Sequence, residues 1–300
     1  MITLEQVRRA VHRIKPFVSQ TPCEELGSNQ ICLKREDLQA AGSFKVRGVI
    51  NLILEELEST KINGIIAHSS GNHGIAVAHV SKLLEIPCKI LMPFNASDFK
   101  VQRCKSYGAE VQVIDGSLDD LNHIAAGMAT EFQLTHVPPY DHESIIIGHA
   151  TLALEILVQA PNAKFIIVPC GGGALLAAIS LMYRELSPMT KVVGVEPILG
   201  NDVHLSLLAG SIVALPFTQT SRSVADGLRA TKPGLIPFEY ISVFTHDVLC
   251  VGEDAIVDAM EEATELTGKK IEPSGAIGLA VVQKYCSDGQ TVVIVTGSNM

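Results

Sequence analysis

Apolar positions recur at two spacings along this chain, and the switches between them mark out its elements. Near the start, Val7, Ala10, Val11 and Ile14 share one helical face behind Thr3 and Gln6, a capping-box pair. Gln30 to Lys34 reads as a short strand. Ser43 is then expected to cap a helix carrying Val46, Val49, Ile50, Ile53, Leu54 and Leu57 on one stripe. From there strands and helices alternate. Gly64 to Ala67, Cys88 to Met92 and Glu110 to Ile114 read as strands, each followed by a turn and a helical pattern, the first helix beginning near His73. Phe165 to Val168, Val192 to Val195 and Val292 to Val295 read as strands of the second half, and Glu253 to Thr267 as a helix ended by Gly268.

Such alternation predicts an α/β fold of open, twisted, mostly parallel sheets covered by helices. No repeat or long linker interrupts it, so two lobes are expected to be interleaved: residues 1–55 with 145–300 as the larger, 60–140 as the smaller. Phe165 to Tyr183 carries no charge and nearly matches a membrane span in length. Pro169 and Gly171-Gly172-Gly173 break it, so a buried strand, a glycine turn and a buried helix fit better, and no membrane partner is expected.

Composition narrows the function. The formal charge of −9 argues against a nucleic-acid partner, whose backbone must be neutralised by Lys and Arg. Seven cysteines, odd in number and without C-x-x-C spacing, suggest reduced thiols in a cytoplasmic protein. The opening MITLEQVRRA has no apolar signal core.

Candidate chemistry gathers where strands meet helices, the usual ligand position in open α/β sheets. In Gly42-Ser43-Phe44-Lys45-Val46-Arg47-Gly48, Lys45 opens a helix. That end disfavours a cation, so the amine is biased toward the neutral form that attacks an aldehyde cofactor as a Schiff base. In Ser69-Ser70-Gly71-Asn72-His73-Gly74, the hydroxyls and the helix N-terminus suit a carboxylate, and Asn72 a ring hydroxyl. In Cys170-Gly171-Gly172-Gly173-Ala174-Leu175, the glycines let backbone N–H groups converge on a phosphate. Glu196, the Gly200 carbonyl and Asp202 offer oxygen ligands suited to Mg²⁺ or Ca²⁺, with monovalent cations also open.

Order and wording of these segments, from Thr21-Pro22 and Lys34-Arg35-Glu36-Asp37-Leu38-Gln39 to Val295-Thr296-Gly297-Ser298-Asn299, resemble the serine/threonine dehydratase and serine racemase family of fold type II pyridoxal-phosphate enzymes. The resemblance implies a large and a small domain and pyridoxal 5'-phosphate bound through Lys45. Phe44 would lie beside the ring, Asn72 would bond its hydroxyl, residues 171 to 175 would cradle the phosphate, and Thr296 would face the pyridine nitrogen. A neutral hydroxyl there makes the ring a weaker electron sink than a carboxylate would, which favours β-elimination or reprotonation at Cα over transamination. Ser69, Ser70, Gly71, Asn72 and His73 would hold the substrate, and Glu196, Gly200 and Asp202 match a structural cation site. A homodimer is also implied.

Three positions depart from the family's pattern. Ala174 replaces a common fourth glycine, Gly127 stands where serine racemases place a substrate-binding arginine, and Gly148-His149-Ala150-Thr151 replaces Gly-Gln-Gly-Thr. Glu272 of Ile271-Glu272-Pro273 lines the ring pocket or is structural. The expected activity is a dehydratase converting L-serine or L-threonine to a 2-oxo acid and ammonia. Serine racemisation, with Lys45 and Ser70 on opposite faces of Cα, and threo-3-hydroxyaspartate dehydration are alternatives. A β-replacement synthase, against which His73 argues, and an inactive cofactor-binding protein are weaker ones.

Overall fold

The computed structural model describes residues 1–26, 30–285 and 289–300. Ten strands form two sheets among these residues. Six belong to the larger: β1 (Cys23–Leu26), β2 (Ile31–Arg35), β7 (Phe165–Pro169), β8 (Lys191–Pro197), β9 (Asp247–Val251) and β10 (Thr291–Val295), in the order β1-β2-β10-β7-β8-β9. All pairs are parallel except β1 with β2. The smaller sheet has the order β5-β4-β3-β6, from β3 (Ile65–His68), β4 (Cys88–Pro93), β5 (Glu110–Ile114) and β6 (Thr135–His136), and is wholly parallel. Fold type II architecture is thus present. The expected strands are found within a residue or two at each end, while β1, β6 and β9 were not expected.

Helices between the sheets decide where the chemistry sits. These are α1 (Leu4–Ile14), α2 (Lys45–Ser59), α3 (Asn72–Leu83), α4 (Asp98–Ser106), α5 (Leu118–Phe132), α6 (Glu143–Gln159) and α7 (Ala174–Leu186). The capping box of α1 forms as read, Thr3 and Gln6 bonding each other's backbone. α2 departs from expectation. Its N-cap is Phe44 and no side chain caps it, while the buried Ser43 hydroxyl has no hydrogen-bond partner. Ser43 instead bridges Gly297 in extended backbone, which takes it out of capping geometry. Segment 165–183 resolves into β7, a glycine turn and α7, and no helix among the described residues is long and apolar enough to cross a membrane.

α2 packs on α3 and on α6, and α6 on α7. The α2–α6 crossing is backbone-close. A Cβ on Gly148 would lie 2.4 Å from the Arg47 carbonyl oxygen, and one on Gly48 would lie 2.9 Å from that of Ile145. Only glycine permits such an approach.

Beside the crossing lies a buried ionic network. Arg47 donates to both oxygens of Glu36, each at 2.8 Å, and to Glu155 at 2.7 Å. Lys34 donates to Glu155 at 2.7 Å and to the Thr21 carbonyl at 2.6 Å. Lys34, Glu36 and Arg47 are fully buried. Burial alone would raise the Glu36 carboxyl; the Arg47 guanidinium overrides it and holds the group below its ordinary value. The network ties β2, the turn after it, α2 and α6 together, and so fixes where Lys45 begins its helix.

The expectation of reduced thiols needs one correction. Cys23 and Cys32, on the antiparallel β1–β2 pair, are joined as a disulfide with Cα atoms 5.8 Å apart. Their nine-residue separation hides a proximity that the hairpin creates. Cys88, Cys104, Cys170 and Cys250 are free, and Cys286 lies outside the described residues.

Removing one partner of a buried, hydrogen-bonded charge set costs about 3–5 kcal/mol, because the other charges lose their compensation. Arg47→Met is therefore expected to lower the unfolding free energy by that amount in urea titration. A loss below ~1 kcal/mol would mean that the network does not hold this junction.

Candidate active site

Strands β3, β7 and β10 end at one cavity, and the residues that follow each of them line it. Lys45 enters from the first turn of α2. Its Nζ donates to the Pro139 carbonyl at 2.8 Å and lies 5.2 Å from the centre of the Phe44 ring. The pKa of Lys45 is lowered to about 8, and the cause is burial. Helix position, on which the sequence argument rested, acts in the same direction, but burial dominates. Phe44 is backed by His149, ring centroids 4.7 Å apart. His149 and His73 are both held well below the ordinary imidazole value, by burial first and by Lys45 second. Two neutral rings thus stand beside the amine, and neither adds a cation.

The Ser69–His73 turn forms the second wall. Ser69 Oγ accepts from Gly71 N–H at 2.9 Å. Ser70 lines the cavity half-buried, and no hydrogen bond holds its hydroxyl among the described residues. Asn72, first residue of α3, donates through Nδ2 to Glu272 and accepts from Asn299 Nδ2 at 2.8 Å. His73 Nε2 lies 2.9 Å from the Val137 carbonyl. Glu272 stands behind Asn72, outside the cavity lining. Burial raises its carboxyl, Lys100 nearby opposes that, and the net position is about 7. Lys100 also meets Asp226, Nζ to Oδ2 2.5 Å.

The third wall is the glycine turn. Gly173 holds φ +93°, a left-handed conformation that glycine adopts without strain. A Cβ on Gly172 would lie 2.3 Å from the Tyr140 ring. Ala174 starts α7 with its methyl in the core, so a fourth glycine is not needed for this turn to pack. Leu175 lines the same wall. Thr296, directly after β10, lines the cavity and donates to the Ser274 carbonyl at 3.2 Å. Such a cradle, opening on the N-terminus of a thirteen-residue helix, fits a phosphate. With a buried amine that deprotonates readily, the residues present fit an aldehyde-and-phosphate cofactor.

Gly127, the position at which the resemblance places an arginine in serine racemases, contributes nothing to the cavity lining. It is exposed in the middle of α5, and a Cβ there would meet nothing within 4 Å. The cavity residue from α5 is Leu118, its first position. Other lining residues were not singled out from sequence: Tyr140, Asp226 to Ala230, and Ser274. Ala225-Asp226-Gly227 carries a weak turn signal; Tyr140 carries none.

Glu196, near the end of β8, and Asp202, five residues beyond it, lie outside this lining but behind its residue Cys170, whose thiol is pushed up by burial and by both carboxylates. Glu196 accepts from Val203 N–H at 3.0 Å and His204 N–H at 2.8 Å, while neither Asp202 oxygen has a partner, although both are buried. Burial raises both carboxyls, Asp202 to about 8, and Asp202 adds to the rise of Glu196. No group of three or more His, Cys, Asp or Glu suited to a metal occurs among the described residues.

Comparison with known proteins agrees with this geometry. Residues 14–297 match the family model for pyridoxal-phosphate dependent enzymes. Serine racemase of Oryza sativa subsp. indica is 34% identical, the alignment covering 99% of this chain and 91% of the relative. L-threo-3-hydroxyaspartate ammonia-lyase of Saccharomyces cerevisiae is 35% identical, covering 99% and 93%. Among solved structures, maize serine racemase superposes with a TM-score of 0.92 at 33% identity, over 99% of this chain and 93% of that one. A T.th. threonine deaminase gives 0.92 at 30% identity, over 100% and 99%.

An amine with pKa near 8 is protonated and unreactive below that pH and nucleophilic above it. The second-order rate at which cofactor-free protein captures pyridoxal phosphate, followed by absorbance, is expected to rise with pH and level off above about 8. A rise continuing to pH ~10, as for an ordinary lysine, would contradict the burial argument.

Proposed function

The chain belongs to the serine/threonine dehydratase and serine racemase family of pyridoxal-phosphate-dependent enzymes, and from that premise we propose that it eliminates water from a small hydroxy amino acid, after which a water molecule hydrolyses the released enamine to a 2-oxo acid and ammonia. The observation that carries this reading is the meeting, in one cavity, of a lysine amine with a pKa near 8, a glycine phosphate cradle and a neutral hydroxyl at Thr296. The bound cofactor supplies an electron sink that makes the substrate's Cα proton acidic.

The residues divide the remaining work. Lys45 would hold the cofactor and, once displaced by the substrate amine, take the Cα proton; its lowered pKa puts the neutral base within reach near neutral pH. Residues 171 to 175 would hold the phosphate and Asn72 the ring hydroxyl, with Phe44 against the ring face. Ser69, Ser70 and the backbone N–H groups near Asn72, at the start of α3, would receive the α-carboxylate. His73, neutral and bonded to Val137, would shape that pocket. Thr296, a hydroxyl and not a carboxylate, would leave the ring nitrogen unprotonated, which suits elimination.

Racemisation is the second reading, favoured by the unbonded Ser70 hydroxyl, which is free to return a proton to Cα. The Glu196–Asp202 pair, with the Gly200 carbonyl, is read as a structural Mg²⁺ or Ca²⁺ site. Two buried carboxylates side by side, the Asp202 one with both oxygens unpaired, need a proton or a cation. We further read residues 60–140 as a small lobe against 1–55 and 145–300, and the protein as a cytoplasmic homodimer.

Borohydride reduction of the yellow holoenzyme, followed by peptide mapping, is expected to place the pyridoxyl label on Lys45; a label elsewhere refutes the assignment. With L-serine as substrate, Ser70→Ala should reduce D-serine formation by about 10²-fold or more, and far more than it reduces pyruvate formation. Equal loss of both products would remove Ser70 from the proton path. Chelator-treated protein should regain thermal stability on adding Mg²⁺ or Ca²⁺, by up to ~2.7 kcal/mol at a hundredfold excess over Kd. An Asp202→Asn variant should not respond.

A further inference from the structure

One arginine lines the active cavity, and none of the roles assigned above uses it. Arg229 ends the stretch Asp226-Gly227-Leu228-Arg229, which runs between the substrate and phosphate walls. At one end Asp226 is held by Lys100, whose side chain packs so close to Gly71 that a Cβ there would lie 2.9 Å from it. At the other end the Gly227 carbonyl oxygen would lie 3.2 Å from a Cβ on Gly171. Gly227 N–H donates to Ser274 Oγ at 2.8 Å, which fixes the middle.

Arg229 itself is half-buried, and its Nε donates to the Ser223 carbonyl at 2.8 Å. That bond orients the guanidinium plane and leaves the terminal nitrogens without a carboxylate among the described residues. Glu253, which accepts from Ser223 Oγ at 3.1 Å, makes no ion pair with Arg229 among the described residues, and the carboxylates toward the cavity are engaged elsewhere. Asp226 pairs with Lys100, and Glu272 lies 3.7 Å from the same amine and bonds Asn72. Leu118 adds only apolar surface to the lining. A partly desolvated guanidinium without a counter-charge lacks compensation until an anion arrives, and its planar fork suits a carboxylate.

The cavity already has receivers for two anions, the cofactor phosphate at the glycine turn and the α-carboxylate at the Ser69–Asn72 turn. We propose that Arg229 receives a third, a carboxylate on the far side of the substrate's β-carbon. The preferred substrates are then 3-hydroxy-2-amino dicarboxylates, of which L-threo-3-hydroxyaspartate is the simplest, ahead of L-serine. This inference deepens the dehydratase reading and rests on it. Arg229 is a specificity residue here: it meets the substrate away from the bonds that change.

Two measurements on the holoenzyme test it. The first compares kcat/KM for L-threo-3-hydroxyaspartate and for L-serine in the parent, Arg229→Lys and Arg229→Met, with cofactor affinity titrated in each. The parent should favour the dicarboxylate. The Met variant should lose at least ~30-fold more on hydroxyaspartate than on L-serine, mainly through KM, and the Lys variant should recover part of it. Equal loss on both substrates, or a fall in cofactor affinity showing that Arg229 grips the phosphate, overturns the proposal. The second needs no variant and no turnover. Cofactor absorbance is titrated with L-aspartate and with L-alanine, neither of which carries a β-hydroxyl. Tighter binding of L-aspartate supports the arginine's role, and equal or weaker binding overturns it. Should the parent eliminate from neither hydroxy amino acid, the dehydratase reading falls, while this titration still decides on Arg229.

Discussion

The fork of Arg47 on Glu36, with Glu155 on its other arm, is the constraint from which the site follows. A guanidinium and two carboxylates at this depth persist only because the bonds between them are made at 2.7–2.8 Å and the remaining guanidinium N–H groups reach Thr151 and the Ser19 carbonyl. Glu36 sits in the turn after β2, Arg47 in the first turn of α2, and Glu155 late in α6. Holding the three together leaves the residue two before Arg47 little freedom. That residue is Lys45, so the position of the reactive amine is an outcome of packing behind it and needs no contact in front.

Charge in the cavity is arranged with the same economy. His73 and His149 are kept neutral by burial and by the amine they flank. Had either imidazole been able to charge, Lys45 would face a competing cation and the local field would change with pH. Lys100, the other buried amine nearby, is engaged by Asp226 and Glu272. Positive character offered to a ligand therefore comes from Lys45, from backbone N–H groups at two helix starts, and from Arg229.

Much of the fold was legible because its strands are apolar runs closed by turn residues. Glu110–Ile114 and Glu253–Thr267 match their expected limits, the latter because Gly268 adopts the left-handed conformation that ends a helix. β1, with Glu24 and Glu25 at its centre, and the two-residue β6 are too polar or too short to stand out, whereas β9 is apolar from Val248 to Val251 and carried a readable signal. Ser43 looked like a cap because serine usually is one before a helix, yet a bridge to Gly297 claims its backbone. The motif turns were readable one by one. Leu118, Tyr140 and Arg229 were not, because only the packing of distant elements brings them to the cavity.

The bare meeting of α2 and α6 at Gly48 and Gly148 has a mechanical consequence. With backbone on backbone and no side chain as a cushion, the two helices resist being pushed together, and compression at that point has nowhere to go. Rotation about the contact displaces little and meets less resistance. Shifts between the helices on the α3 side and those on the α7 side should thus take the form of a pivot, in which a few degrees at the fulcrum become a larger displacement at the cavity rim.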